Sequence, residues 1–335
     1  MLSNLFFRPH MDPSADGPFV YRPVRREETH DAVRLILAAD GKLPGDAQVL
    51  DFLRFAVQRG INLPDLWVAE RGGQLYWAVL PVVSPGRTML LLVPPDPPAN
   101  RNDVAAALTA EVCGHFAGRG MSLAQVLADP GSGIATVLTR RPAGFEPLAE
   151  LAYLQTSVRR PPPVGDDGGL RWQTYDASTH GAFAAAVLAT YVDSLDCPTL
   201  NGLRDIDDIL AGHKAAGEFD PRLWFLLSDP TTVRPAAVLL LGPTAAAGTM
   251  ELVYLGVAPS HRGRGLGGLL VRKALAATAE SQLAKLSLAV DAQNAPALKL
   301  YYRHGLQRFC TKVALMRDLR PMRRPPEDAL VPTTA

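Results

Sequence analysis

The sequence predicts a mixed α/β fold built from two consecutive copies of one unit, each with a central sheet flanked by helices. Strand-like apolar segments alternate with helix-like segments in both halves of the chain. Matching features also recur at one spacing, because Thr88 and Gly144 are separated by the same 56 residues as Thr249 and Gly305. A segment rich in proline and glycine, residues 159–169, divides the 335-residue chain nearly in half and is predicted to be a linker.

The first copy is predicted to span residues 19–158. Trp67 opens an apolar strand, and residues 88–93 form a later one. Residues 102–116 have a helical pattern, and residues 122–127 return to a strand pattern. The first copy therefore has the order strand, helix, strand around its middle.

The second copy is predicted to span residues 170–319 and repeats this order. Trp224 again opens an apolar strand, and an alternating apolar strand follows at residues 250–257. A glycine-rich loop then leads into a helix at residues 267–281, and a further strand follows at residues 285–290. The glycine-rich loop has no equivalent in the first copy.

This loop, residues 262–268, has the sequence Arg-Gly-Arg-Gly-Leu-Gly-Gly. Glycines let a backbone approach an anion closely, and the first N–H groups of the following helix are donors for phosphate oxygens. Arg262 and Arg264 add mobile positive charge. The loop is therefore predicted to bind a pyrophosphate, although an ordinary glycine-rich turn before an amphipathic helix would have the same pattern.

Two motifs in the second copy carry a family resemblance. Arg262-x-x-Gly265-x-Gly267 follows a strand, and Asn294-x-x-Ala297-x-x-Leu300-Tyr301-x-x-x-Gly305 follows the next strand. Together they resemble the GCN5-related N-acetyltransferase (GNAT) family over residues 250–309. One departure is Leu306, where the family usually has phenylalanine, and this affects packing rather than chemistry.

The resemblance implies two tandem GNAT-like domains, each with a mixed, mostly antiparallel central sheet. It also implies acetyl-CoA as co-substrate, no metal, and transfer of an acetyl group to a primary amine by direct attack in a ternary complex. In this family the strand before the loop pairs with the pantetheine arm through its backbone, and an asparagine bonds the same arm. The residues implied to bind the cofactor are therefore Leu255, Gly256, Val257, Arg262, Gly263, Arg264, Gly265, Leu266, Gly267, Gly268 and Asn294.

Two side chains are implied to be catalytic. Tyr301 occupies the place of the family's usual general acid, and it would protonate the leaving thiolate. Its alternative role is that of a core aromatic, and the adjacent Tyr302 is a less favoured acid. Glu251 is the one ionised residue in its strand, and it is the candidate general base or amine anchor. Strict alternation would place Glu251 on one face with Val253, Leu255 and Val257. A solvated strand-end charge is the alternative for Glu251, as a helix N-cap is for Asn294.

The first copy lacks these groups. Shifting the numbering by 161 places Arg101, Val104 and Ala106 at the positions of Arg262, Gly265 and Gly267. A branched Val104 side chain would occupy the space that phosphate oxygens need. The same shift replaces Tyr301 by Arg140 and Asn294 by Gly133. The first copy is therefore predicted to be a degenerate partner of the second.

Composition restricts the partners and the location. The chain has 34 basic and 33 acidic residues, which gives no electrostatic signature for nucleic acid or an anionic membrane surface. No apolar segment is long enough to span a membrane, and the three cysteines show no metal-ligand spacing. A cytoplasmic protein with reduced thiols is expected. Residues 1–18 are predicted to be flexible, and residues 320–335 are predicted to be a disordered tail.

The acceptor is predicted to be an amine on a small molecule or a peptide. Residues 191–220 are the expected acceptor-binding region, and their many acidic side chains would suit a cationic amine, although such a run is often a solvated helix face. Cys197, His213 and Trp224 are candidate pocket residues there. The oligomeric state, the acyl chain length and the acceptor itself stay open.

Three alternatives accompany this interpretation. Gly263-x-Gly265-x-x-Gly268 partly resembles a dinucleotide fingerprint, which would indicate an oxidoreductase, but the loop lies too far from its strand. A GNAT fold could also serve as an acyl-CoA-binding sensor without catalysis, although such a module would need neither Tyr301 nor Glu251. Within the family, the tandem layout is similar to that of mycothiol synthases, which acetylate the cysteinyl amine of a thiol sugar.

Overall fold

A computed structural model describes residues 17–39, 41–97, 99–230, 234–244 and 248–321. The segments predicted to be a flexible N-terminus, residues 1–18, and a disordered tail, residues 320–335, lie almost entirely outside these ranges.

The part of the first half that the structure describes forms ten helices and strands, in addition to short 3-10 turns. The bounds are β1 (Val20–Pro23), α1 (Thr29–Ile36), α2 (Asp46–Gln58), β2 (Trp67–Arg71), β3 (Gln74–Ser84), β4 (Thr88–Leu92), α3 (Asn102–Gly118), β5 (Leu123–Ala128), α4 (Gly133–Leu138) and β6 (Glu146–Ser157).

The second half repeats these elements in the same order. The bounds are β7 (Arg171–Thr174), α5 (His180–Tyr191), α6 (Ile206–Ala215), β8 (Trp224–Ser228), β9 (Pro235–Pro243), β10 (Thr249–Val257), α7 (Leu266–Glu280), β11 (Lys285–Asp291), α8 (Ala295–Arg303) and β12 (Gln307–Asp318). Trp67 and Trp224 open corresponding strands, as the sequence predicted. The internal repeat is therefore a repeat of structure.

All twelve strands of the described residues belong to one sheet, in the order β1-β2-β3-β4-β5-β12-β6-β11-β10-β9-β8-β7. The last strands of the two halves are exchanged at its centre. β6 pairs with β11 of the second half, and β12 pairs with β5 of the first half. β6 and β12 also pair with each other, so hydrogen bonds link the two halves along several strands.

The sheet is mixed and mostly antiparallel, which confirms the predicted fold class. Only β4 with β5 and β10 with β11 run parallel among the described strands. Each of these parallel pairs is joined by a helix, α3 or α7, because a parallel connection needs a crossover. The two crossovers thus occupy equivalent positions in the two halves.

Helices cover both faces of the sheet. Leu239 and Leu241 of β9 pack in the same cluster as Leu270 of α7, whereas Leu240 packs with Phe183 of α5. Because successive strand residues point to opposite faces, α7 and α5 lie on opposite sides of the sheet. This double coverage explains why β9 is a nearly continuous apolar segment rather than an alternating one.

The predicted linker, residues 159–169, contains no helix or strand and lies against α7. Arg272 of α7 donates a hydrogen bond from Nε to the carbonyl oxygen of Val164 at 2.8 Å. The exchange of β6 and β12 means that each half completes the sheet of the other. The bounds 19–158 and 170–319 therefore stay a prediction of where the two repeats lie in the sequence, and the sheet itself is shared between them.

Candidate active site

The parallel strands β10 and β11 separate partway along their length. They pair from Thr249 to Glu251 on β10, opposite Lys285 to Ser287 on β11. Beyond this point a β-bulge between Leu252 and Tyr254 shifts the register of β10 against β9. A cleft of about 300 Å³ opens where the two strands diverge.

The cleft is lined by residues from both strands, from α8 and from the loop after α5. Of the predicted site residues, the lining contains Leu255, Gly256, Val257, Arg262, Gly267, Asn294 and Tyr301. Six other predicted site residues are not in this lining, although five of them lie in the loop next to the lining residues Arg262 and Gly267. The six are Glu251, Gly263, Arg264, Gly265, Leu266 and Gly268. The structure thus brings the predicted strand, loop and helix positions to one cleft.

Leu255, Gly256 and Val257 are paired with β9 on one side only. Their partners are Leu239, Val238 and Ala237, and the described pairing with β11 has already ended at Glu251. Backbone groups on the free side are therefore placed to pair with an extended ligand, as in strand addition. Pairing of this edge with the pantetheine arm, which the sequence resemblance implied, stays a prediction.

Gly256 also allows α5 to approach β10 closely. A Cβ at Gly256 would lie 2.4 Å from Oγ1 of Thr190 and 2.8 Å from the hydroxyl of Tyr254. Those two hydroxyls are themselves hydrogen-bonded at 2.8 Å. Glycine is therefore required here by helix packing as well as by any backbone contact with a ligand.

The glycine loop adopts the open conformation that anion binding requires. Gly263 and Gly265 have φ angles of +75° and +82°, in the left-handed region that favours glycine. No atom lies within 4 Å of a Cβ built at either position, so a side chain there would occupy free space at the start of α7. The first intrahelical bond runs from the N–H of Leu269 to the oxygen of Gly265, which leaves the preceding N–H groups for other acceptors.

Three other loop residues have different environments. Leu266 is buried in the core beneath α7. Gly267 packs against Leu300, whose side chain would lie 3.0 Å from an added Cβ. Gly268 faces the flexible end of Arg272 at 3.2 Å. Leu266 and Gly267 thus fix the helix in place, and any contact of these residues with a phosphate would involve their backbone N–H groups.

Arg262 is held by four carbonyl oxygens rather than left mobile. Its Nε donates to Val257 at 3.0 Å, and its Nη atoms donate to Thr190, Val192 and Asp193 at 3.2, 2.6 and 3.1 Å. The sequence prediction of a mobile charge is therefore wrong for Arg262. The guanidinium fixes the end of α5 and the loop that forms one wall of the cleft. Arg262 and Arg264 are both exposed, and the mobility of the Arg264 charge stays a prediction.

Tyr301 is buried in the wall of the cleft, with 6% of its surface exposed. Burial raises its pKa, and the nearby Asp196 carboxyl adds to this effect. The phenol is therefore protonated at neutral pH and has a proton to donate. Tyr302, by contrast, is 45% exposed and is absent from the cleft lining.

Asn294 caps α8. Its Oδ1 accepts a hydrogen bond from the N–H of Ala297 at 3.2 Å, and Pro296 lies in the first turn. Asn294 also lines the cleft, so the capping role and the predicted cofactor contact are compatible.

Glu251 lies on the sheet face away from α7, because its neighbours Met250 and Leu252 pack in the α7 cluster. The expectation that Glu251 shares this face with Leu255 and Val257 is wrong. The bulge at Val253 reverses the alternation, and both of those residues pack on the α7 side. Tyr301 therefore lies in the cleft wall on the α7 side of the sheet, whereas Glu251 lies outside the cleft lining and on the other face.

Burial raises the pKa of the Glu251 carboxyl. The Glu251 charge in turn adds to the raised pKa of Tyr153 on β6, which is due mainly to burial. Glu251 is thus a partly buried carboxylate rather than a solvated strand-end charge.

Asp196 is a site residue that the sequence did not single out. It lines the cleft, and its Oδ1 accepts a hydrogen bond from the N–H of Asp291 at 3.0 Å. Burial raises its pKa, and the nearby Asp291 charge also contributes. In the sequence Asp196 was one of many acidic residues, and only the folding of the α5–α6 loop onto the end of β11 distinguishes it. Burial also raises the pKa of the adjacent Cys197 thiol to about 12, so that thiol stays protonated.

The first half has closed the equivalent cleft. β4 and β5 also pair over only three residues and then diverge. There, however, the N–H of Ile134 donates to the oxygen of Pro95 at 3.0 Å, and the N–H of Gly133 donates to Asp96 at 2.9 Å. Val104 and Ala106 are buried in the core of this half. These contacts tie α4 to the segment after β4 that the shift of 161 residues places at Gly256 and Val257, so α4 occupies the place of the free strand edge of the second half.

Two further observations concern the described residues as a whole. They contain no group of three or more histidine, cysteine, aspartate or glutamate side chains that could hold a metal ion. None of their helices is both long enough and apolar enough to cross a membrane.

Comparisons with known proteins agree with this geometry. Residues 192–306 match the sequence model of the Acetyltransferase (GNAT) family. A mycothiol acetyltransferase of Clavibacter michiganensis subsp. michiganensis is 28% identical over 319 residues, which cover 87% of this chain and 93% of the relative. A mycothiol acetyltransferase of Mycobacterium leprae is 28% identical over 243 residues, which cover 65% of this chain and 71% of the relative.

A solved structure has a similar fold across nearly the whole chain. The GCN5-related N-acetyltransferase from Sphaerobacter thermophilus has a TM-score of 0.60 at 19% sequence identity, and the match covers 90% of this chain and 96% of that chain. The match over residues 192–306 shows that the second half of the chain is similar to the GNAT family of acetyltransferases, and the solved structure shows that the fold is shared.

Proposed function

We propose that this protein is an acetyl-CoA-dependent N-acetyltransferase that acts on a primary amine by direct transfer in a ternary complex. The observation that supports this most directly is the cleft between β10 and β11. It has an open glycine loop at the start of α7 next to one end and the buried Tyr301 in its wall.

The residues present fit acetyl-CoA. Gly263 and Gly265 leave a space that any Cβ would fill, and the adjoining N–H groups suit a pyrophosphate. Leu255, Gly256 and Val257 would hold the pantetheine arm through their free backbone edge, together with Asn294. When bound, the co-substrate would supply an acetyl thioester, whose carbonyl could be polarised by a backbone N–H of this strand.

Tyr301 and Glu251 would divide the proton transfers between them. Tyr301 holds a proton on Oη at neutral pH, and this proton is available to the departing sulfur. Glu251, on the other face, would accept the proton that the amine nitrogen loses, directly or through water. The raised pKa of Glu251 makes it a stronger base than a solvated carboxylate.

The acceptor is proposed to enter from the sheet face that carries Glu251, on the side of α5 and α6, because its amine must reach the proposed base. The acceptor is proposed to be a small molecule or a peptide that contacts the loop wall formed by Asp193 to Asp196. The first half is proposed to form part of this acceptor site, and only the second half is proposed to bind acetyl-CoA.

Release of free thiol from acetyl-CoA, measured with a panel of amines, tests this proposal. The panel should include the amine precursor of mycothiol, since the relatives matched over most of the chain are named mycothiol acetyltransferase. Thiol release that depends on one amine and is lost in Tyr301→Phe supports the proposal. Tight binding of acetyl-CoA without release for any amine would favour the alternative of a non-catalytic acyl-CoA-binding module. The family match is incompatible with the dinucleotide-dependent oxidoreductase.

A further inference from the structure

Asp196 has one carboxylate oxygen that is free to bind a molecule in the cleft. The residue lines the cleft and is exposed to solvent, so a ligand can reach it. Its Oδ1 accepts the hydrogen bond from the N–H of Asp291 at 3.0 Å. Among the described residues, no donor and no cation is paired with its Oδ2. The fold therefore uses one oxygen of this carboxylate and leaves the other to the cleft.

The loop that carries Asp196 is strained and is held at both ends. Asp193 and Cys197 have left-handed backbones, with φ angles of +53° and +44°, a region that residues other than glycine rarely adopt. The carbonyl oxygen of Asp193 accepts a hydrogen bond from Arg262 at 3.1 Å. The N–H of Cys197 donates to Oδ2 of Asp291 at 3.3 Å. Such strain persists only where surrounding contacts fix it, and here these contacts fix the direction of the Asp196 carboxylate.

The surroundings of this carboxylate are negatively charged. Asp193 lies in the same lining, and the buried Asp291 adjoins Asp196. Burial raises the pKa of Asp196, the Asp291 charge adds to this effect, and no cation of the described residues opposes it. Arg262 is the one cation in the described lining, and its N–H groups are directed at backbone carbonyl oxygens instead. A positively charged ligand would therefore be stabilised beside Asp196.

Asp196 is also close to the proposed chemistry. Its charge contributes, after burial, to the raised pKa of Tyr301, and the two residues line one cleft. Asp196 follows α5, which lies on the same face of the sheet as Glu251. An acceptor that enters on this face can therefore place its nitrogen between Asp196 and an acetyl group held near Tyr301.

We infer that Asp196 binds the acceptor nitrogen as an ammonium ion and positions it beside the acetyl thioester. This inference rests on the proposed acetyl transfer. It adds a specificity-determining residue and restricts the acceptor to amines that are cationic at neutral pH. An ammonium ion satisfies the free Oδ2 through a charge-assisted N–H···O bond, whereas a neutral hydroxyl brings no charge to the site.

The bound ammonium ion must lose a proton before it can react. It passes this proton to Glu251 through water, and the neutral nitrogen then attacks the carbonyl carbon of the thioester. As the C–N bond forms and the C–S bond breaks, the sulfur takes the proton of Tyr301. The second proton that the nitrogen loses returns to Tyr301 through solvent, so the reaction as a whole releases one proton.

Ammonium binding is tested first without turnover. Protein labelled with ¹³C at aspartate Cγ is saturated with CoA, which has no acetyl group to transfer. The Asp196 resonance, assigned with Asp196→Asn, is followed by NMR during titration with n-butylamine or with n-butanol, a neutral molecule of similar size. We expect a saturable shift with n-butylamine and binding of n-butanol that is about 10-fold weaker or more.

The control for this titration is Asp207→Asn, which removes an exposed carboxylate of α6 outside the cleft lining and should leave the shift unchanged. No saturable shift of the Asp196 resonance with n-butylamine, or equal affinities for the amine and the alcohol, overturns the inference.

Turnover then tests the link to acetyl transfer, with the panel amine that gives the most thiol release. Asp196→Asn keeps an oxygen for the N–H of Asp291. It should raise KM for this amine by about 10-fold or more and leave the dissociation constant of acetyl-CoA within about 2-fold of wild type. Asp196→Glu, which keeps the charge, should recover part of the loss. A residue that only supported the loop would not favour the amine over acetyl-CoA in this way.

The outcomes separate this inference from the proposed function. An unchanged KM for the amine in Asp196→Asn overturns the inference and leaves acetyl transfer intact. Saturable ammonium binding at Asp196 without thiol release for any amine supports the ammonium site and overturns the proposed function instead.

Discussion

The guanidinium of Arg262 donates a 2.6 Å hydrogen bond to the carbonyl oxygen of Val192, just beyond the end of α5. With its bonds to Thr190, Asp193 and Val257, it connects the strand before the glycine loop to the wall of the cleft. The first arginine of the motif therefore has a structural task, and we predict that the second, Arg264, supplies the positive charge for the ligand.

The different tasks of Arg262 and Arg264 predict that substituting one lowers stability and that substituting the other weakens cofactor binding. Arg262→Met should lower the free energy of unfolding by about 1–2 kcal/mol, because charge-assisted bonds to carbonyl oxygens are lost. Arg264→Met should leave stability within about 0.5 kcal/mol of wild type and weaken acetyl-CoA binding instead. Urea unfolding and calorimetric titration of acetyl-CoA measure the two quantities. Unchanged stability in Arg262→Met would show that the four hydrogen bonds do not hold the loop.

The burial of Tyr301 predicts a catalytic defect without a binding defect. Tyr301→Phe should lower kcat by about 100-fold or more, because the leaving sulfur loses its proton donor. The dissociation constant of acetyl-CoA should stay near the wild-type value. Tyr302→Phe is the matched control, since Tyr302 is adjacent in sequence but 45% exposed and outside the cleft lining. Equal losses of kcat in the two variants, or a large loss of cofactor affinity in Tyr301→Phe, would remove Tyr301 from the proposed mechanism.

The raised pKa of Glu251 predicts a stability effect that depends on pH. Burial raises this pKa above the ordinary value of 4.5, so the folded state holds the proton more tightly than the unfolded state does. The resulting stabilisation is fully present below the unfolded pKa and is lost as pH rises through the folded pKa. Glu251→Gln, which is uncharged throughout, should therefore have a higher Tm than wild type at pH 8.

The difference in Tm should shrink as the pH is lowered towards 5, and thermal unfolding at a series of pH values measures it. The same variant should lose acetyl transfer, because the amide that replaces the carboxylate cannot accept a proton. A lower Tm for Glu251→Gln than for wild type at pH 8 would mean that the carboxylate is stabilised by contacts rather than strained by burial.

The exchange of β6 and β12 predicts that the two halves stay together after the linker is cut. A protease recognition sequence inserted after the exposed Arg160 would divide the chain between them. β6 is hydrogen-bonded to β11 and β12, and β12 is also bonded to β5. The cleaved fragments should therefore elute together in gel filtration and separate only in denaturant. Fragments that separate in native buffer would contradict the single continuous sheet.

Much of the fold was predictable from local patterns. The internal repeat, the strand that ends at Val257, the glycine loop and the tyrosine of α8 are marked by spacing within short segments, because each depends on neighbouring residues. The strand exchange was not predictable, since β6 and β12 have similar apolar patterns and nothing local selects their partners. Pairing between distant strands is decided by the whole sheet.

Parts of the candidate site were likewise not predictable from local sequence patterns. The bulge at Val253 reverses the face of Leu255 and Val257 relative to Glu251, and no residue type in the strand signals it. The position of Asp196 in the cleft lining depends on how the α5–α6 region folds against the end of β11. In the sequence, that region was only a polar segment with several acidic residues.

Calorimetric titration of acetyl-CoA into wild type and two matched glycine variants tests the central claim most directly. Gly265→Val places a side chain in the open loop, and Gly120→Val places one at a residue after α3 with a similar φ of +89° and no atom within 4 Å. Both variants carry comparable backbone strain, so a difference between them reports on the cofactor site. The account predicts that wild type and Gly120→Val bind acetyl-CoA and that Gly265→Val, still folded, does not. Absence of binding to wild type, or undiminished binding to Gly265→Val, would contradict it.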